Sequence, residues 1–167
     1  DIKLIRNHYP FSSATRMSDY EKINDSVFYL NLNSIAMEDI DMLLPELAKS
    51  KSIICDLRVY PRGNHGFISY LLKEKDTSDS WMQTPQNIYP DRKETTYQNA
   101  NWLLPNKKPY LGDKQIIFIT KGSAISYAES YMGFIKGYKL ATRTGQPTAG
   151  TKGNINLFEL PGGYNIR

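Results

Sequence analysis

A serine at the junction between an apolar run and an amphipathic one is the residue in this chain best suited to chemistry. Residues 122–129 read Gly-Ser-Ala-Ile-Ser-Tyr-Ala-Glu, follow Ile116-Ile117-Phe118-Ile119 closely, and open a segment that ends at Gly137. At a strand-to-helix turn, Ser126 would expose its hydroxyl beside helix-terminal N–H groups, the setting of an acyl-transfer nucleophile. The same residue serves equally well as a helix N-cap. Acyl transfer also needs a base, and N–H donors for the tetrahedral oxyanion. The N–H of Tyr127 is one candidate donor. Gly63, in the polar loop 58–66, is a second, because glycine lets backbone approach a substrate closely. An ordinary turn glycine fits that position too.

These residues need elements to hold them. Val27-Phe28-Tyr29-Leu30-Asn31-Leu32 reads as a first buried strand. A helix follows over 36–49, with Ile40, Leu43, Leu44 and Leu47 on one face and Pro45 arguing for a kink or break. Residues 52–58 read as a second buried strand, and its loop leads into a helix through Phe67, Ile68, Leu71 and Leu72. A third strand over 116–120 precedes the helix from Ser126, for which Gly137 is the expected stop. Further strands are expected over 139–142 and 156–160, the latter followed by the turn Pro161-Gly162-Gly163.

This alternation implies an α/β fold of parallel strands with right-handed crossover helices. Sites in such sheets lie at the C-terminal ends of the strands, so loops 58–66 and 120–126 should emerge together. Residues 1–26 read as polar and irregular, so 1–25 are expected to be a linker or the end of an upstream domain. Residues 74–114, with Trp81, Trp102 and four prolines, read as an irregular insertion. Its aromatic side chains either pack onto the core or cover a peptide groove.

Composition excludes several functions. The chain has 167 residues, 40% hydrophobic and 23% charged, which suits one globular domain. No apolar run is long enough to span a membrane. The net charge of +4 is spread among scattered Lys and Arg residues, so nucleic acid is not an expected partner. Cys55 sits within an apolar strand, as a buried structural cysteine does. Two distant histidines give no metal-ligand spacing, no glycine pattern marks a nucleotide site, and no cofactor is expected. The chain lacks an initiating Met and ends in mid-pattern at Asn165-Ile166-Arg167, so it reads as a fragment.

Three motifs in order carry a family likeness: Asp56-Leu57-Arg58 with Pro61 and Gly63, then Ser126-Tyr127-Ala128-Glu129, then Gly145-Gln146-Pro147-Thr148-Ala149-Gly150. The chain thereby resembles the carboxyl-terminal processing (tail-specific) serine peptidases, including their tricorn-like branch, over residues 22–167. The resemblance implies a ClpP/crotonase-like fold over a peptidase core at 26–167. It also implies polypeptide substrates and a location outside the cytoplasm, periplasmic or surface-anchored. Carried over by position, Ser126 is the nucleophile, Glu129 the motif acid, and Gly63 and Tyr127 the oxyanion-hole contributors. A Gly-Gly pair in the family stands here as Arg62-Gly63.

The base departs from that pattern. In the Ser-Lys branch a lysine directly follows the Pro-Thr-x-Gly element. Here Thr151 holds that place and Lys152 comes one residue later. Lys152 is then either a base that swings in or a solvent-exposed loop residue. The tricorn-like branch instead uses a histidine from upstream and an acid from downstream. His65 lies in loop 58–66, where an incidental role also fits, and His8 has no motif around it. A serine endopeptidase is the first reading, and a peptidase-like binding module without turnover is the second. A crotonase-type acyl-CoA enzyme is disfavoured by the serine motif.

Overall fold

A computed structural model describes residues 18–76, 83–86, 95–99, 102–151 and 158–166. His8, Trp81 and Lys152 lie outside the described residues. In chain order the elements are β1 (Tyr20–Asn24), β2 (Val27–Asn31), α1 (Met37–Lys49), β3 (Ser52–Asp56) and a 3₁₀ helix (His65–Tyr70). The hairpin strands β4 (Gln83–Gln86) and β5 (Thr96–Asn99) precede β6 (Gln115–Thr120), α2 (Tyr127–Gly137) and β7 (Thr142–Gly145). A second hairpin, β8 (Phe158–Leu160) and β9 (Tyr164–Ile166), turns through Pro161-Gly162-Gly163 as expected.

Five strands form the main sheet in the order β1-β2-β3-β6-β7. The pairs β2–β3, β3–β6 and β6–β7 are parallel. Each new parallel strand adds on the same side of the last. Right-handed crossovers therefore put every connecting helix on one face of the sheet. Burial follows that rule. Phe28, Leu30, Ile53, Cys55, Ile116 and Phe118 alternate along the strands and form one core with the apolar stripes of α1 and α2. Ile40, Leu43, Leu44 and Leu47 supply the α1 stripe, and Ala128, Tyr131, Phe134 and Ile135 that of α2.

Four details depart from the sequence pattern. Tyr20–Asn24, read as irregular, is an antiparallel edge strand on β2. Helix α1 runs through Pro45, which faces solvent where the carbonyl left without its N–H partner can be hydrated. The segment after Asn64 is a 3₁₀ helix rather than an α-helix. The fourth parallel strand begins at Thr142 rather than 139, because the turn that closes α2 continues past Gly137. Lys139, not glycine, takes the left-handed conformation (φ 54°). Its N–H donates to Lys136 O at 3.2 Å, and that of Leu140 to Ile135 O at 3.0 Å. That pair of bonds is a Schellman stop, and it uses up residues 138–140.

Candidate active site

Because β3, β6 and β7 are parallel neighbours, the loops after Asp56, Thr120 and Gly145 leave the same edge of the sheet. Ser126 stands in the middle one, partly exposed, at the N-cap of α2. Its backbone is the unusual feature. An N-cap ordinarily sits in the extended region, but Ser126 has φ 50° and ψ −103°. A non-glycine residue held there stores about 1–3 kcal/mol of strain. Capping does not require that cost, whereas presenting a hydroxyl on a sharp strand-to-helix turn does.

The strain persists because the turn is held on both sides. Ala124 is fully buried, its N–H donates to Lys121 O at 2.9 Å, and its carbonyl accepts Ala149 N–H at 3.2 Å. Ser126 N–H donates to Glu129 Oε2 at 3.0 Å, while Glu129 N–H donates to Ser126 O at 2.9 Å. Glu129 reaches further. Its Oε1 accepts the N–H groups of Gly150 (2.6 Å) and Thr151 (3.2 Å), and the Thr151 hydroxyl lies 3.4 Å from Oε2. The motif acid thus ties the serine turn to the loop after β7. Its carboxylate binds the Ser126 backbone N–H, and the two residues form a reciprocal capping box.

The two amides singled out from sequence have no acceptor among the described residues. Arg62 N–H is bonded to Leu32 O at 3.0 Å. That leaves Gly63, at φ 65° and exposed, with an N–H that donates to none of the described residues. Tyr127 is the first residue of α2, so its N–H is one of the orphan donors of a helix start, and it too has no partner among the described residues. Two N–H groups without partners among the described residues are suited to stabilise a tetrahedral oxyanion, and a serine hydroxyl on a loop at the same sheet edge is suited to attack.

Side chains that the sequence did not single out join those loops. Ser123 Oγ donates to Arg58 O at 2.7 Å, and Tyr131 Oη donates to Asn64 O at 3.1 Å. Buried Asn64 donates both amide hydrogens, to Leu32 O at 2.9 Å and Ile35 O at 3.0 Å. Tyr127 Oη accepts His65 N–H at 3.3 Å and lies 2.5 Å from His65 Nδ1. Burial pushes the His65 pKa down and the Tyr127 pKa up, which favours a neutral pair. No hydrogen bond joins His65 to Ser126. Trp102, from the expected insertion, stacks on His65 at 4.2 Å and meets Tyr127 edge-on at 5.1 Å, so it packs on the core beside the site. Of the two expectations for its ring, packing onto the core is the one observed.

Below the loop, Asp56 is buried at the end of β3. Its carboxylate accepts Arg58 Nε at 2.9 Å and Tyr29 Oη at 2.7 Å. Burial alone would raise its pKa, but the hydrogen bonds of Arg58 and Tyr29 outweigh burial and hold it below the usual carboxylate range. Asp56-Leu57-Arg58 is therefore a structural clamp at the root of the loop. Cys55 is fully buried, and burial pushes its thiol far up, so it is no nucleophile. No group of three metal-ligating side chains occurs among the described residues, and no described helix is long and apolar enough to cross a membrane. A cleft of about 540 Å³ between α2 and residues 143–148 reaches Glu129 but not Ser126, Tyr127 or Gly63.

Comparison with known proteins agrees with this architecture. A structure described as a putative peptidase from Parabacteroides merdae superposes with a TM-score of 0.65 at 18% identity, over 87% of this chain and 48% of that one. A photosystem II D1 C-terminal processing protease gives a TM-score of 0.55 at 16% identity, over 83% of this chain and 34% of the other. A lipoprotein from Streptococcus agalactiae gives 0.50 at 19% identity, over 87% and 55%. At these identities the likeness shows a shared fold. The chain spans about half the length of the first of these structures. No curated protein sequence matches it. The model of peptidase family S41 matches residues 26–167.

Proposed function

Because this chain belongs to peptidase family S41, a family of serine-type peptidases, we propose that it is a serine endopeptidase of the carboxyl-terminal processing type. The observation that carries the reading is the strained backbone of Ser126 (φ 50°), at the same sheet edge as the Tyr127 and Gly63 N–H groups, which have no acceptor among the described residues. Ser126 Oγ attacks a peptide carbonyl carbon, and the two amides hold the oxygen as it takes up negative charge. Collapse expels the amine and leaves an acyl-enzyme, which water hydrolyses. Glu129 positions the turn. Lys152 is the candidate base for the serine proton, since it directly follows Thr151, whose N–H is anchored on Glu129. The substrates are unstructured polypeptides that add as a strand beside the sheet. The exposed apolar side chains of Tyr60 and Ile125, close in sequence to Gly63 and Ser126, suit an apolar segment. The ClpP/crotonase-like fold type and a location outside the cytoplasm belong to the same proposal.

A fluorophosphonate probe tests the nucleophile. It should label the wild-type protein and leave Ser126→Ala unlabelled. Thr151 favours one alternative, a peptide-binding module without turnover. It occupies the place of the lysine in the Ser-Lys branch and engages Glu129. Absence of labelling in the wild type, together with retained peptide binding, would select that alternative.

A further inference from the structure

We propose that the hydrogen bonds between Tyr127 and His65 set the spacing of the two oxyanion donors, which makes both side chains positioning residues for acyl transfer. The inference rests on the peptidase reading and extends it to residues that supply no reacting atom.

The donors come from different loops. Tyr127 N–H belongs to the start of α2, and Gly63 N–H to the loop after β3. No side chain packs where a Cβ of Gly63 would stand: nothing lies within 4 Å of that position. The glycine must therefore be placed by its neighbours. On one side, Arg62 N–H and the Asn64 amide fasten the loop to residues 32–35. That anchoring fixes the loop to the β2–α1 connection and not to the serine. The links to the serine side are Ser123 on Arg58 O, Tyr131 on Asn64 O, and Tyr127 on His65. Only Tyr127 carries a donor and a brace in one residue. Its N–H is a proposed oxyanion donor, while its hydroxyl holds the backbone N–H and Nδ1 of His65, two residues beyond Gly63. Any shift of α2 relative to the loop therefore has to break a bond made by the donor residue itself.

The surroundings favour a strong brace. Trp102 covers the imidazole by stacking at 4.2 Å and meets the Tyr127 ring edge-on, and Tyr60 lies 5.5 Å from that ring. Water has less access to compete, and a hydrogen bond in a low-dielectric setting is stronger. Catalytic donors must hold to within about 0.5 Å, and a displacement of about 1 Å can lower a rate by about 10²-fold.

The test is Tyr127→Phe in the full-length protein, which keeps the ring contacts and removes both bonds. The expected result is a roughly 10–100-fold fall in kcat and in the fluorophosphonate labelling rate, with KM little changed and labelling still reaching full stoichiometry. A merely structural role would instead lower the labelled fraction. His65→Leu should reproduce the effect, and it carries the test if Tyr127→Phe does not fold. His65→Asn, whose side chain offers an acceptor near the Nδ1 position, should restore most of the rate. Wild-type kcat and labelling rate in both Tyr127→Phe and His65→Leu would overturn the brace. An unlabelled wild type would instead overturn the peptidase reading, and the brace as a catalytic device with it. In that case, faster amide exchange at residues 62–66 in Tyr127→Phe would still show the two failures to be distinct.

Discussion

The loop after β3 and the loop after β7 both reach the serine turn, but they are built differently. The first is pinned from two sides. Leu57 and Asn64 are fully buried, Asn64 grips residues 32–35, and Ser123, Tyr127 and Tyr131 cross to it from the serine side. The second leaves an edge strand whose four residues are all exposed. It is held by Thr120 Oγ1 on Gln146 O at 2.8 Å, Gln146 N–H on Thr120 O, Ala149 N–H on Ala124 O, and the Glu129 carboxylate. The loop that carries Gly63 is thus rooted in the core, and the loop after β7 is held by backbone bonds to the serine turn and by one carboxylate. Charge stabilisation demands preorganised dipoles. A base on a flexible stem tolerates a looser mount, which is how the difference makes chemical sense.

The largest effect should come from loosening the core side. Asn64→Ala leaves the buried carbonyls of Leu32 and Ile35 without their donors. Urea unfolding should show a loss of about 3 kcal/mol, with the whole domain destabilised. A change under about 1 kcal/mol would mean that water replaces the amide and that the loop is less rooted than its burial suggests. On the other side, Glu129→Ala removes the acceptor shared by Ser126, Gly150 and Thr151. Here the expectation is local: faster amide exchange at 126 and 150–151, unchanged exchange at 62–66, and roughly 10²-fold slower probe labelling. Loss of protection in both loops would erase the distinction between the two sides.

A smaller effect has the opposite sign. Ser126→Gly removes the hydroxyl and relieves the positive φ, so it should abolish labelling while raising stability by about 1 kcal/mol, or about 2–4 °C in Tm. Calorimetry of Ser126→Gly beside Ser126→Ala checks this, since only glycine relaxes the backbone. Equal Tm values would mean that the turn is unstrained.

What could be read from the amino acids follows the same division. Strands β2, β3 and β6 were legible because β-branched and aromatic runs announce them, and the serine turn because it follows such a run. Strand β1 was not. Tyr20–Asn24 is almost wholly exposed, so no burial pattern marks it. The start of β7 was misplaced because the left-handed residue of the turn after α2 is Lys139, a residue type that seldom signals one. Motif order singled out Ser126, Glu129, Gly63 and Tyr127 as candidates. Their bracing was not legible: Tyr127 meets His65 across 62 residues and Tyr131 meets Asn64 across 67, and no local pattern encodes such pairs. Nor does motif order show that the Arg62 amide is taken by Leu32 O.

The smallest effect follows from protonation at the brace. Burial lowers the His65 pKa in the folded protein, so the fold favours the neutral ring. In the unfolded chain His65 titrates near its ordinary value of about 6.5. Below that pH the unfolded state binds a proton that the folded state resists, so stability is complete above about 6.5 and declines as pH falls toward the folded value. Asp56 adds no slope there. Its pKa is lowered from an already acidic value, so its contribution disappears only at much lower pH. Urea midpoints measured at steps from pH 8 to pH 5 should therefore drift downward below 6.5 in the wild type and drift less in His65→Asn. The same steps should leave the drift intact in Glu129→Ala, because Glu129 has no contact with the imidazole. If His65→Asn keeps the full slope, protonation is acting elsewhere, and the neutral Tyr127–His65 pair does not distinguish the rigid side of the site.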